Sequence, residues 1–479
     1  MNDRNKYLIL IKDSVIFAVG SIGSKLIIFL MVPLYTNIMS TAEYGTAELF
    51  QTVTSMLYSI FCLNIFSAVI RFGLSNSEQR EDVLACALAI GGIGSVACIL
   101  LTPAVKLYSA LSPWRWALCA NTIFTLLLNI EMNYLKASDK NIVFAVTSLA
   151  QSLILALSNV VLLLVFRLGV KGFVISYLLS AFSACAIPYI WGNIHSDIRR
   201  GKFKPELAKN MVRYSAPLVI SALSWWIIHS SDKIMIDRML DTASLGLYAV
   251  AAKVPTLINL FSGIFMQAWG ISSIREIETT EDTSFYSEVL VLYSTGLFLA
   301  TILLVMLIQP FMQIYVGKAF TVGWIYAPLL IIAATFSSIS GFFETLYAAL
   351  KLSTNNMICT LLCAVLNVVI NFIGIRKIGI MGAVLGTSVA YIVLALIKMI
   401  DIRRHMDINI PFSFIVNSLL IIAQAVLITM RFNTFVTSGT VFVFFILINR
   451  KKLKESIIKV IHISKTIIRK VQPNTNTYS

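Results

Sequence analysis

Lys25, Lys233 and Lys253 each interrupt an apolar run long enough to cross a bilayer. Ionisable groups are rare in such runs because removing a charge from water is expensive, so each one is a candidate for function. Glu48, Glu131, Asp232 and Glu344 share the anomaly. If these side chains face a common cleft, they line a wet, mainly cationic cavity with a few carboxylates, and the acids become candidates for carrying a coupling ion. Lys25 stands foremost, since it lies near the middle of its run, too deep to reach either surface with ease. For Lys233, Glu48 and Glu131 the alternative is snorkelling to an interface. Asp232 and Lys233, adjacent in sequence, point about 100° apart on a helix and make a poor mutual pair. His229 reads as a hydrogen-bonded packing residue rather than a proton carrier. Asn64, Asn129, Asn133, Asn159, Gln267, Asn367 and Asn371 either contact a hydroxyl-bearing ligand or tie helices together. Trp225, Trp226, Trp114 and Trp116 fit interfacial belts.

Enzymatic chemistry finds no footing in these residues. No glycine loop with a Lys-Ser/Thr ending is present to cradle a nucleotide, and no acids and histidines cluster for general acid-base work. The seven cysteines are scattered through apolar runs. Cys359 and Cys363 share a helix face, but no histidine or carboxylate lies beside them, so no metal site is expected and no cofactor is implied. The net charge of +15 comes from residues between the apolar runs and in the tail, without an aromatic-basic module, which excludes nucleic acid as the partner.

The elements that position these groups are membrane spans. With 58% apolar and 13% charged residues, the chain is far more apolar than a soluble protein, and strand-length alternation is absent. Windows of about 20 residues, enough to cross a hydrocarbon core of about 30 Å, recur throughout. Six fall near 14–35, 46–70, 83–105, 114–135, 142–166 and 170–192, six more near 213–236, 244–271, 288–311, 324–350, 356–374 and 379–400, and two near 412–430 and 434–449. The first is too long for a signal-peptide core and is expected to remain as a span. With the N-terminus cytoplasmic, inner loops and tails hold roughly 26 Lys and Arg and outer loops roughly 9, so both termini are expected inside. The tail after Arg450 spaces Leu453, Ile457, Val460 and Ile461 as an amphipathic helix among lysines and arginines. It either lies on anionic lipid or is a solvated helix that sets topology.

The chain also starts a second time. At a shift of 201 positions Thr41-Ala42 meets Thr242-Ala243 and Gly45 meets Gly246. Leu135-Lys136-x-Ser138-x-x-Asn141 recurs as Leu350-Lys351-x-Ser353-x-x-Asn356, and Gly169-x-x-Gly172 as Gly379-x-x-Gly382. Three echoes in one order indicate two homologous halves, and six spans per half insert both in the same sense. The expected architecture is an all-α integral membrane protein of 14 transmembrane helices, with two pseudo-symmetric six-helix lobes around a central cavity and two extra C-terminal helices. The divisions are 1–194 (N-lobe), 195–212 (cytoplasmic basic linker), 213–404 (C-lobe), 405–449 (the extra pair) and 450–479 (basic tail).

Pro33-Leu34-Tyr35, the Ala42-Glu43-Tyr44-Gly45 tip, Val69-Ile70-Arg71-Phe72, the repeated Leu-Lys-x-Ser-x-x-Asn turn and Gly379-Ile-Met-Gly382-Ala383 together resemble the polysaccharide transporter family. These are the Wzx-type flippases of O-antigen, capsule or exopolysaccharide repeat units, in the superfamily that also holds lipid II flippases and MATE exporters. The likeness spans about 10 to 449. It implies alternating access that moves an undecaprenyl-pyrophosphate-linked oligosaccharide from the cytoplasmic to the outer leaflet of the bacterial inner membrane, coupled to H+ or Na+. A polysaccharide polymerase and a chain-length regulator are its implied partners. On that reading the pyrophosphate and sugar meet Lys25, Arg71, Lys233, Lys253, Asn64 and Gln267, while Glu131, Asp232 and Glu344 are the ion-coupling candidates. A lipid II flippase is the nearer alternative. A MATE-type drug exporter, which would want an acidic cleft for organic cations, is the more distant one.

Overall fold

A computed structural model describes residues 23–75, 78–279, 284–350 and 352–450, without the side chains of 221, 267, 268 and 270–279. Gln267, Lys351 and the basic tail beyond Arg450 thus lie outside the described groups, as does the start of the first expected span. The first series of helices is α1 (Gly23–Ile38), a bent pair α2 (Thr41–Phe61) and α3 (Ile65–Gly73), α4 (Arg80–Leu101), α5 (Arg115–Ala137), α6 (Asn141–Asn159) and α7 (Gly169–Ile190). Short α8 (Ile194–Arg200) leads to the second: α9 (Pro205–Met239), a bent pair α10 (Thr242–Ala251) and α11 (Thr256–Thr279), α12 (Ser284–Met306), short α13 (Ile308–Tyr315), α14 (Ala327–Ala349), α15 (Ser353–Ile378) and α16 (Ile380–Ile402). Last come α17 (Phe412–Thr429) and α18 (Thr434–Arg450). No strand occurs among the described residues.

The chain is a multi-pass membrane protein: nine of the described helices are long and apolar enough to cross a bilayer, or eleven if each bent pair is one span. All fourteen expected windows fall on helix where they are described, but this test does not reach a count of fourteen. The described parts of α1 and α18 are short, and α5 is made too polar by Asn121, Asn129, Glu131 and Asn133.

Equivalent helices of the two series begin alike. Ser40 caps α2 in a reciprocal box with Glu43, and at the same 201-residue shift Asp241 caps α10 by accepting the Ser244 N–H at 2.6 Å. Both helices then break. The first bends by 55° where Leu63 and Asn64 adopt left-handed backbone, the second by 45° ahead of Pro255, which has no N–H to continue the ladder.

Packing groups α5, α6 and α7 in one half and α14, α15 and α16 in the other, and joins the halves chiefly through α2 against α10. A Cβ on Gly45 would overlap the Thr242 carbonyl oxygen, and one on Gly246 would overlap that of Thr41. The contact is reciprocal, as between copies related by a two-fold axis, and only glycine lets the backbones approach so closely. At the opposite end the stretch read as a linker is folded: the Lys202 N–H donates to Asp82 at 2.7 Å, Lys204 pairs with Asp82 at 2.8 Å, and α9 already begins at Pro205. The two ends of the bundle are named below for Thr41/Thr242 and for Lys204. On the Lys and Arg count, the Lys204 end is the expected cytoplasmic one.

Candidate functional site

The candidate lysines do not meet in a single chamber. Lys25 lines a cavity of about 470 Å³ bordered by α1, α2, α5, α6 and α7 of the first half. Among the described residues the rest of that lining is neutral, with Gln51, Thr54, Asn121, Gln151 and Ser152 prominent and no carboxylate. Lys25 makes no hydrogen bond or ion pair among the described residues, and the Asn121 carbonyl oxygen is buried without a partner. A single free ammonium among amides and hydroxyls suits a ligand with one anionic group and many hydroxyls.

Lys233 and Lys253 are instead bound up at the contact between the halves. Lys233 Nζ donates to Glu48 Oε1 at 2.6 Å, and Lys253 Nζ donates to the same oxygen at 3.3 Å while standing 3.0 Å from Oε2. Glu48 is buried on α2, Lys233 belongs to α9, and Lys253 lies in the bend after α10. The carboxylate therefore ties one half to two cations of the other. Of the two readings of Glu48, a cleft-facing charge or a snorkelling one, the structure takes the first: it turns inward behind the helix crossing at Gly45 and Gly246.

Asp232 sits in a smaller pocket of 150 Å³ within the second half, lined also by His229, Lys233, Tyr248, Asn259, Thr387 and Tyr391. Its Oδ2 accepts the Tyr248 hydroxyl and, at 3.2 Å, that of Thr387, while Oδ1 accepts the Lys233 backbone N–H. The chain of bonds continues as Asn367 donates to Thr387 at 3.5 Å and Asn371 to Asn367 at 3.1 Å, so Asn367 ties α15 to α16 while Asn371 supports it from within α15. His229 shares a hydrogen bond with Tyr391 at 2.7 Å and stacks on Trp225. Trp226 donates to Ser55 of α2 at 3.1 Å, which places it at the contact between the halves rather than in an interfacial belt.

The remaining candidates are dispersed. Arg71 is exposed in the last turn of α3, at the Lys204 end. Asn64 is buried at the bend between α2 and α3 and lines none of the cavities above. Glu131 is buried on α5 with Oε2 unpartnered among the described residues, whereas Glu344 accepts from Asn356 at 3.3 Å. The two acids are 213 positions apart and the turns that follow them 215, so the helix faces do not correspond. Lys398 went unnoticed in the sequence. It is fully buried on α16, 3.8 Å from Glu344 and over the Trp225 ring, with no hydrogen bond to its ammonium. The signal was there, a lysine within the apolar run before Asp401, but its nearness to Arg403 and Arg404 hid it among loop charges. No group of three or more His, Cys, Asp or Glu residues is placed to hold a metal among the described residues.

Residues 10–270, more than half of the chain, match the family model described as polysaccharide biosynthesis protein. "Lsg locus putative protein 1" of Haemophilus influenzae is 23% identical over 257 residues, which are 52% of this chain and 62% of that protein. The match thus spans less than two thirds of the relative's length. Among solved structures, "Lipid II flippase MurJ, inward closed conformation" aligns over 92% of this chain and 100% of its own with a TM-score of 0.68 and 15% identity. An inward-facing multidrug resistance MATE family transporter of the MOP superfamily aligns over 80% and 94% with a TM-score of 0.62 and 14% identity. At these identities the likeness establishes a shared fold.

Proposed function

The chain belongs to the polysaccharide biosynthesis protein family, and on that premise we propose that it is a flippase, not an enzyme. Its cargo is a lipid-linked oligosaccharide repeat unit on a polyprenyl pyrophosphate, such as an O-antigen, capsule or exopolysaccharide unit. The two halves pass it from the cytoplasmic to the outer leaflet of the bacterial inner membrane by alternating exposure. The observation that carries this reading is the Lys25 cavity: one unpaired cation for the phosphate, amides and hydroxyls for the sugar, and no carboxylate to repel it. An exporter of organic cations would be served by the opposite charge, and Lys25 argues against one. A peptidoglycan precursor fits the same chemistry and differs only in its sugar.

Coupling to H+ or Na+ is assigned to Asp232, whose carboxylate is buried and already held by two hydroxyls. Glu131, with one buried oxygen free, is second, and half-exposed Glu344 third. Arg71 is placed to receive the head group at the Lys204 end. A polymerase and a chain-length regulator are the partners that would act on the delivered unit.

The test is export in a strain lacking its own repeat-unit flippase. Lys25→Ala should cut surface polysaccharide by about tenfold, the scale of losing one charge-assisted contact, at normal protein level, and Lys25→Arg should retain much of it. Undiminished export by Lys25→Ala would show that this ammonium only packs.

A further inference from the structure

α2 and α10 present matching faces to one another. Thr41, Gly45, Glu48 and Thr52 recur at helical spacing on one, and Thr242, Gly246 and Ala249 occupy the same places on the other, with Lys253 following in the bend after it. The helices touch at the two glycines, near the Thr41/Thr242 end. One turn deeper stand Glu48 and Ala249, and another turn deeper Thr52 and Lys253. The charges therefore sit just behind the contact, and they are not symmetric: the anion comes from one half and both cations from the other.

We propose that Lys233 and Lys253 form an anion site on the second half which Glu48 occupies in this state, and that a phosphoryl group of the cargo must displace Glu48 to reach it, thereby unlatching the Thr41/Thr242 end. This rests on the cargo reading above. A carboxylate and a phosphate offer the same two ammoniums the same kind of contact, two or more anionic oxygens at hydrogen-bond distance. They differ in attachment, because Glu48 belongs to the opposite half and holds the two together, whereas a cargo phosphate does not. Exchange of one anion for the other removes the tie without leaving either lysine unpaired, so parting of the halves is coupled to the presence of cargo. Opening without cargo would leave two partly buried ammoniums unpaired. Glu48 is on this account a positioning residue that gates release.

Ala249 supplies the reporter, since it is fully buried here and shares its face with Gly246, just ahead of the bend that carries Lys253. The full chain, with its seven cysteines replaced by alanine and a single Ala249→Cys introduced, is placed in bilayer discs and treated with a polar maleimide. Farnesyl pyrophosphate should speed labelling by about tenfold, while farnesol should not. Glu48→Gln should label at the fast rate with no ligand, and Glu48→Asp, which keeps the charge, at the slow rate of the parent. Slow labelling of Glu48→Gln, or labelling indifferent to farnesyl pyrophosphate, overturns the proposal. Retention of radiolabelled farnesyl pyrophosphate by the discs separates the two levels. If it is retained yet labelling does not change, the exchange is wrong and the cargo reading stands. If Glu48→Gln labels fast but no pyrophosphate is ever retained, the cargo reading fails and the exchange fails with it.

Discussion

In the first half, α2 starts from a capped end at Ser40 and runs through Thr41 and Gly45; in the second, α10 starts from Asp241 and runs through Thr242 and Gly246. Up to that point the copies coincide, and what they share is backbone business: a cap, and a glycine against a carbonyl. Beyond it they part, with Glu48 and Thr52 facing Ala249 and Lys253. The interiors diverge in the same manner. The first half encloses a roomy cavity of neutral amides and hydroxyls around one free lysine, while the second encloses a small pocket in which Asp232, Tyr248 and Thr387 satisfy one another. The difference teaches a division of labour within one architecture. The close crossing where the halves meet is the same in both, whereas the charged positions behind it have no counterpart in the other half.

The largest effect should come from attacking what is shared. Gly45→Leu or Gly246→Leu drives a side chain into a backbone carbonyl, which no rotamer can relieve. Each should abolish export and lower the yield of folded protein, with comparable severity in the two halves because the contact is reciprocal. If one were tolerated and the other lethal, the two-fold description of this crossing would be wrong. Export by the strain used above, together with gel filtration of the purified variants, measures both outcomes.

A smaller effect should follow from attacking what is not shared. Asp232→Asn keeps the shape of the pocket and much of its hydrogen bonding but removes the charge, so export should fall by about tenfold and the remainder should no longer respond to collapse of the H+ or Na+ gradient. Glu131→Gln, in the half assigned to cargo, should leave the response to the gradient intact. Reversal of these two results would exchange the roles given to the halves, and export insensitive to both gradients in the parent would remove ion coupling altogether.

How much of this was legible beforehand follows from what each signal encodes. Hydropathy located the helices because the bilayer imposes it on every residue of a span, and the doubled Thr-Ala and glycine echo survived because a close crossing tolerates little else. The asparagines at 367 and 371 could be read as ligand contacts or ties, and the structure makes Asn367 a tie to Thr387, with Asn371 bonded to it within one helix. Which charge faces which could not be read. Glu48 and Lys253 are 205 positions apart and meet only because two bent helices cross one turn away. The expectation of one cationic chamber failed for the same reason: Lys25 lines a cavity of its own, and a carboxylate from the other half neutralises Lys233 and Lys253. Lys398 shows the converse, a buried charge taken for a loop charge because its neighbours in sequence are basic.

The smallest effect belongs at the other end of the bundle, where a bridge of inverted composition, one cation between two carboxylates, has its lysine in water. Lys204 joins Asp82 at 2.8 Å and Glu78 at 3.5 Å, as two-sided as the Glu48 bridge but with 47% of its side chain exposed. Its hydrogen bond with Asp82 raises the lysine's pKa above the ordinary 10.5. A raised lysine stabilises the fold fully below its unfolded value, and the contribution is lost as pH climbs through the higher folded one. Lys204→Gln should therefore lower the thermal midpoint only slightly, by an amount constant across neutral pH that shrinks above the ordinary lysine range and fades with added salt. Asp82→Asn should cost more, because the Lys202 N–H also ends on that carboxylate and the fold of the connecting segment depends on it. A penalty for Lys204→Gln that persists in high salt would mean that water screens this bridge no better than it screens Glu48, and the contrast between the two ends would have to be drawn from packing instead of charge.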